Sequence, residues 1–274
     1  MSSLIYHVSF PNLNINIALN PIAFSFANTK IYWYGIILAI GFSLAYLYVL
    51  KNSKRFEISK NDISNLTIIS SICAVICARL YYVIFYPGDF YIKNPSKIFM
   101  INEGGIAIYG AIIGGILSIL IFAKIKNLNA WRLLDITSLG VLIGQYIGRW
   151  GNFVNQEAFG TTTNLPWAMA SENTLFEAVH PCFLYESLGC LTIFIFLHFY
   201  SLHSKKLKAG DVFILYMLLY GILRSLIEGL RTDSLMIPYT NLRISQVLGI
   251  ALSLGAVTTM LIRIYKKHIN IFGK

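Results

Sequence analysis

The stretch GRWGNFVNQEAFG, Gly148–Gly160, puts Arg149, Asn152, Asn155, Gln156 and Glu157 directly behind the apolar run LGVLIGQYI. A second polar group lies in YGILRSLIEGLR, residues 220–231. There Tyr220, Arg224, Glu228 and Arg231 recur at helical spacing and form one stripe on an otherwise apolar helix. A third is HPCFLYES, residues 180–187, with His180 ahead of Pro181, and Tyr185 and Glu186 beyond it. Guanidinium groups grip phosphate oxygens in a bidentate fork. Carboxylates and tyrosines nearby can move protons. Ionisable groups in apolar spans cost about 2.5–3.5 kcal/mol each on insertion scales and mark function by default. Arg224 and Glu228 can pair within their helix, and Glu186 can balance an arginine. Two arginines to one glutamate along the stripe still leave a spare positive charge, which suits an anionic ligand. These residues alone support a protein that binds an anionic lipid and acts on it.

The elements that must position them are membrane spans. Of the 274 residues, 56% are hydrophobic and only 12% charged, with mean hydropathy +0.64. Average soluble domains are about 25% charged. A helix needs about 20 apolar residues to cross a bilayer core. Seven stretches qualify, at roughly 31–50, 63–86, 106–124, 133–149, 182–201, 211–230 and 245–265. The fold class expected is an all-α bundle of seven transmembrane helices, forming a single membrane domain over 1–274. The loop 150–181, between spans four and five, forms a small external head. Tyr32, Trp33 and Tyr34 form an aromatic belt where the first span begins, after an amphipathic or extended lead-in.

The basic residues alternate between connecting segments. Lys51, Lys54, Arg55 and Lys60, then Lys124, Lys126 and Arg132, then Lys205, Lys206 and Lys208, then Arg263, Lys266, Lys267 and Lys274 give fourteen on one side. The other side carries six. Positive charge marks the cytoplasmic side, so the N-terminus is expected outside and the C-terminus inside. This clustering between apolar runs argues against nucleic acid as the reason for the net charge of +10. Cys73, Cys77, Cys182 and Cys190 make no C-x-x-C pair and no zinc spacing, and read as small buried hydrophobes. No metal and no cofactor is expected. NEGGIAIYGAIIGG, residues 102–115, lacks the strand-before, helix-after context of a phosphate loop. Its Gly110 and Gly114 instead give a G-x-x-x-G packing face. Gly140, Gly144 and Gly148 form a similar small face. Arg79, beside Tyr81 and Tyr82, adds a charge to the second span, where a structural and a functional role both stay open.

GRWGNFVNQEAFG resembles the signature of the prolipoprotein diacylglyceryl transferase family, G-R-x-G-N-F-x-N-x-E-x-x-G, at every specified position. HPCFLYES is similar to the family's H-P-x-x-L-Y-E segment and RSLIEGLR to its R-x-x-x-E-x-x-R segment. YWYGIILAIGF resembles its first span, and LPWAMA a stretch after the signature. The resemblance covers nearly the whole chain. It implies transfer of the diacylglyceryl group of phosphatidylglycerol to the lipobox cysteine thiol in the signal peptide of a prolipoprotein, with loss of glycerol phosphate, at the bacterial inner membrane. It implies that Arg149 holds the lipid phosphate, with Arg224 as the other main arginine. Asn152, Asn155 and Glu157 shape the headgroup site, and Glu228 and Arg231 complete the stripe. Tyr34, His180, Tyr185 and Glu186 join the lipid-binding residues. Tyr109 stands where many members have a histidine. A phenol with an ordinary pKa near 10 is a poor base, so the base stays unassigned. Rival readings are a phospholipid transporter or flippase, a scaffold, and another headgroup enzyme. The transporter is disfavoured because no internal repeat is found.

Overall fold

The structure, a computed structural model, describes residues 5–26, 29–101, 104–204, 207–237 and 240–272. Lys205, Lys206 and Lys274, part of the charge pattern, lie outside them. Thirteen elements follow in chain order. They are β1 (Tyr6–Phe10), β2 (Ile15–Leu19), β3 (Ile22–Phe26), β4 (Thr29–Tyr32), α1 (Trp33–Asn52), α2 (Lys60–Ile84), α3 (Phe90–Lys93), α4 (Ile108–Lys126), α5 (Ala130–Val154), β5 (Ala170–Ser171), α6 (Cys182–His203), α7 (Asp211–Leu230) and α8 (Ile244–Phe272). Short 3-10 turns join several of them.

Six helices, α1, α2, α4, α6, α7 and α8, are long and apolar enough to cross a membrane, which makes this a multi-pass membrane protein. They match six of the expected spans to within a few residues at most ends. The fourth expected span is the 25-residue α5, which is outside those six. Its composition explains this, because Arg132, Asp135, Gln145 and Arg149 interrupt its apolar run. Sequence signals set the helix ends. Ser59 caps α2 by accepting the Asp62 amide at 3.0 Å. Asn127 closes α4 in the left-handed region, at φ 53°.

The chain divides into two compact units. The first comprises residues 1–47 and 138–274. In it the N-terminal segment is structured as strands. β1 pairs antiparallel with β2 and, through Val8 and Ser9, with Ser171 and Ala170 of β5. The loop 150–181, expected to form an external head, thus shares a sheet with the N-terminal segment. Val8, Phe153, Val154, Ala158, Met169 and Phe183 form a buried apolar cluster. The end of α5, the loop and the start of α6 thus share one small core with β1. In the same unit α7 and α8 pack tightly. A Cβ on Gly221 would lie 2.5 Å from the Gly249 carbonyl oxygen, and one on Gly249 would lie 2.7 Å from that of Gly221.

The second unit, residues 48–137, is built on α2 and α4. The expected glycine face is the contact. A Cβ on Gly110 would come within 2.3 Å of the Cys77 carbonyl oxygen, and one on Gly114 within 2.6 Å of that of Cys73. Cys73 and Cys77 do share one face of α2. Ser118 donates to Ser70 at 2.7 Å across the same contact.

Candidate functional site

Glu186, four residues into α6, is 1% exposed and sits between two arginines. Arg149, near the end of α5, donates from Nη2 to its Oε1 at 2.5 Å. Arg224, on α7, donates from Nη1 to its Oε2 at 2.8 Å. Tyr220, one turn before Arg224, adds its hydroxyl to Oε1 at 3.2 Å. On its other side Arg224 Nη2 meets Glu228 Oε2 at 2.6 Å. Three helices thus meet at one carboxylate. Burying it without partners would be prohibitive, so the two guanidiniums account for its presence there.

The expected spare positive charge is absent among the described residues. Glu186 and Glu228 balance Arg149 and Arg224, and Arg231 has its own partner, Asp233. What stays available is hydrogen-bonding capacity. A guanidinium carries five N–H donors. Arg149 spends one on Glu186 and one on Asn152, and Arg224 spends one on Glu186, while its contact with Glu228 is an ion pair. Their side chains keep 21% and 14% exposure while Glu186 keeps 1%. An incoming anion can touch the arginines and not the carboxylate behind them.

From Arg149 a polar chain runs outward. Nη1 donates to Asn152 Oδ1 at 3.0 Å. Asn152 donates to Glu157 Oε2 at 3.1 Å, and Asn155 donates to its Oε1 at 3.2 Å. The backbone that allows this is unusual. Gln156 and Ala158 both adopt positive φ, 54° and 57°, at about 1–2 kcal/mol each for non-glycine residues. The reversal brings Glu157 back over Asn152, whose carbonyl accepts the Glu157 amide at 2.8 Å. Gln156 is held in place by its side-chain bond to Glu172 and by the Asn173 amide at 3.2 Å. Glu172 also accepts the His7 amide at 2.6 Å. What little burial it has opposes its charge, yet these donors hold its carboxyl below the ordinary value.

Two signature glycines are needed for close approach. A Cβ on Gly151 would come within 2.7 Å of the Tyr34 ring. One on Gly160 would meet the Leu230 carbonyl oxygen at 2.8 Å and Cys182 Sγ at 2.9 Å. Here three segments converge. The Gly160 amide donates to His180 O at 2.8 Å, and the Thr161 amide donates to Leu230 O at 2.9 Å. The signature loop is therefore tied to the ends of both helices that carry Glu186 and Arg224. Arg231, next in the chain, points Nε and Nη2 at the two oxygens of Asp233, at 2.8 and 2.7 Å. Burial disfavours the Arg231 charge and the Asp233 bonds more than restore it; they hold the Asp233 carboxyl below its usual range despite its own burial.

Of the residues singled out from sequence, Arg149, Asn152, Asn155, Glu157, Glu186, Arg224 and Glu228 fall in one connected network. His180 and Tyr185 form a separate pair, Nδ1 to hydroxyl at 3.1 Å, which Trp167 joins at 2.9 Å. Tyr34 packs on Gly151. Tyr109 belongs to the second unit, its ring 6.2 Å from that of Tyr81. Sequence reasoning missed Asp233, and it left Tyr220 out of the site although the stripe contained it. It also missed the layer beneath Glu186. There Tyr216 stacks on Tyr220 at 5.6 Å and accepts from Gln145 at 3.4 Å. Its only signal was an amide inside an apolar run.

Fold and site together define a multi-pass membrane protein with two arginines paired on one buried glutamate. The family model for prolipoprotein diacylglyceryl transferase matches residues 21–262, so the chain belongs to that family. It is 44% identical over 251 residues to the phosphatidylglycerol–prolipoprotein diacylglyceryl transferase of Finegoldia magna, covering 92% of this chain and 98% of that one. Identity to the enzyme of the same name from Clostridioides difficile is 42% over 254 residues, covering 92% and 98%. To that of Nostoc sp. it is 44% over 262 residues, covering 89% and 90%.

Proposed function

We propose that this protein moves the diacylglyceryl group of phosphatidylglycerol onto the lipobox cysteine of a prolipoprotein. The carbon–oxygen bond between the diacylglyceryl group and phosphate breaks, and a carbon–sulfur bond forms. Glycerol phosphate leaves, and the thiol gives up its proton. The observation that carries this reading is the pair of guanidiniums on opposite oxygens of buried Glu186, each with unspent donors. Charge grows on the phosphate as the bond breaks, and preorganised donors stabilise it without reorganising. Arg149 and Arg224 hold the phosphate. Glu186, Glu228 and Tyr220 fix the two arginines from behind. Asn152, Asn155 and Glu157 shape the headgroup site, with Tyr34, His180 and Tyr185 as its walls and Arg231 at its rim. Tyr109 hydrogen-bonds rather than acting as the base.

In this reading α5 is the seventh span. The N-terminus and the head lie outside the bacterial inner membrane, and the C-terminus is cytoplasmic. Reporter fusions at Lys205 and Thr162 then give opposite signals. The reaction is tested by incubating the purified protein in phosphatidylglycerol vesicles with a lipobox peptide and weighing the peptide. A gain of one diacylglyceryl group is expected. An unmodified peptide, or one carrying only an acyl group, overturns the assignment.

A further inference from the structure

An open groove of about 970 Å³ lies in the first unit, bounded by β4, the first turns of α1, Asn155 and Glu157. Three of its lining residues, Lys30, Ile31 and Tyr32, are consecutive in β4. Side chains alternate faces along a strand, so a surface met by three in a row is the strand's edge rather than one of its faces. β4 pairs with β3 on one side and with no other strand among the described residues. Its second edge therefore keeps backbone N–H and C=O groups available, the template used when an extended peptide adds to a sheet.

The groove shares Tyr34, Asn155 and Glu157 with the proposed headgroup site. Its charged lining residues are one cation, Lys30, and one carboxylate, Glu157. It is linked to the arginine cluster, because Glu157 is joined through Asn152 to Arg149 by two hydrogen bonds. Its tyrosine wall is fixed where Tyr34 packs on Gly151. A transferase acting on a polypeptide needs a second channel that brings a main chain to the phosphate site. We infer that this groove holds the acceptor polypeptide as an extended strand along β4, with the thiol end directed toward Glu157. Four residues of edge give about 13 Å, room for about four residues of an antiparallel or parallel partner. The inference rests on the function proposed above.

The test uses the unaltered protein in phosphatidylglycerol vesicles and a set of lipobox peptides, each N-methylated at one position. A paired strand uses every second N–H. Methylation at alternate positions near the cysteine should raise the peptide KM about tenfold or more, with about twofold change at the positions between and no change in the KM for phosphatidylglycerol. A photoreactive Tyr32→p-benzoylphenylalanine variant should attach to the peptide. A KM indifferent to methylation, or attachment to lipid alone, overturns the groove while leaving the reaction in place. No transfer to any peptide removes both readings.

Discussion

Arg149 and Arg224 in the first unit and Arg79 in the second are all arginines within apolar helices, but they are satisfied differently. Arg79 is 6% exposed. Its Nε donates to Ile98 O at 2.8 Å. Nη1 reaches Gly104 O at 2.7 Å and Gly105 O at 2.8 Å, and Nη2 reaches Lys97 O at 2.5 Å. The rings of Tyr82 and Tyr91 lie 5.9 and 5.4 Å from its carbon centre. Four of five donors are spent on backbone carbonyls, so the group ties residues 97–98 and 104–105 to the end of α2 and has little left to offer a ligand. Arg149 and Arg224 each keep at least three donors and an exposed rim. A charged residue in a membrane span marks function only when its partners leave it unfinished. By this geometry Arg79 is the structural member of the three, a reading that the Arg79→Ala variant tests.

The largest effects belong to the site arginines themselves. Arg149→Ala and Arg224→Ala should each lower kcat/KM for transfer by about 10²–10³-fold or more, in protein that still inserts. Lysine at either site should recover little, because an ammonium cannot bridge a carboxylate and a phosphate as a planar fork does. The mass assay on vesicles measures this. Full activity in either alanine variant removes that residue from the mechanism.

Glu186 separates positioning from competition. Glu186→Gln removes the buried charge that two half-buried guanidiniums share, at up to about 3–5 kcal/mol in stability. If Glu186 positions the arginines, the KM for phosphatidylglycerol rises. A KM that falls would mean that Glu186 competes with lipid phosphate for the two guanidiniums and does not position them.

Arg79 should behave in the opposite way. Arg79→Ala strips four carbonyls of their donor, at about 1–3 kcal/mol for a buried group left unpaired. Thermal unfolding should show that loss, while transfer per folded molecule stays within about threefold. A folded variant without activity would show that donor counting fails as a guide.

Much of this was legible in the chain, for unequal reasons. The helices announced themselves because a long apolar run has few alternatives in a membrane, and α7 begins and ends where the sequence placed it. Gly110 and Gly114 were readable because their spacing is one helix turn. The Gly221–Gly249 contact was not, since its partners lie on different helices. The signature flagged Arg149 and its amides by residue type, but the two left-handed residues that turn Glu157 back over Asn152 are Gln156 and Ala158, neither of which advertises that conformation. β1 and β2 were missed because five-residue strands in a mixed segment carry weak alternation. The pairing of Val8 with Ser171 joins residues far apart in sequence and depends on how the signature loop folds. Glu186 was expected to balance an arginine and meets two; what counting charges along one helix missed was Asp233, the partner of Arg231 beyond the end of α7.

Arg231 is the intermediate case and gives the smallest effect. It spends two donors on Asp233, but that carboxylate is 40% exposed and lies beyond the end of α7. Solvent screening limits such a pair to about 0.2–1 kcal/mol. Asp233→Asn should therefore cost less than about 1 kcal/mol and change transfer only a few-fold. The sign of its pH dependence follows from the depressed carboxyl. Its folded value lies below the unfolded one of about 3.9. The stabilisation is complete above the unfolded value and is lost as pH falls through the folded one. Unfolding curves of the protein and of Asp233→Asn should accordingly differ at neutral pH and converge in acid. A gap that widens on acidification would mean that Asp233 does not rely on its charge to hold Arg231.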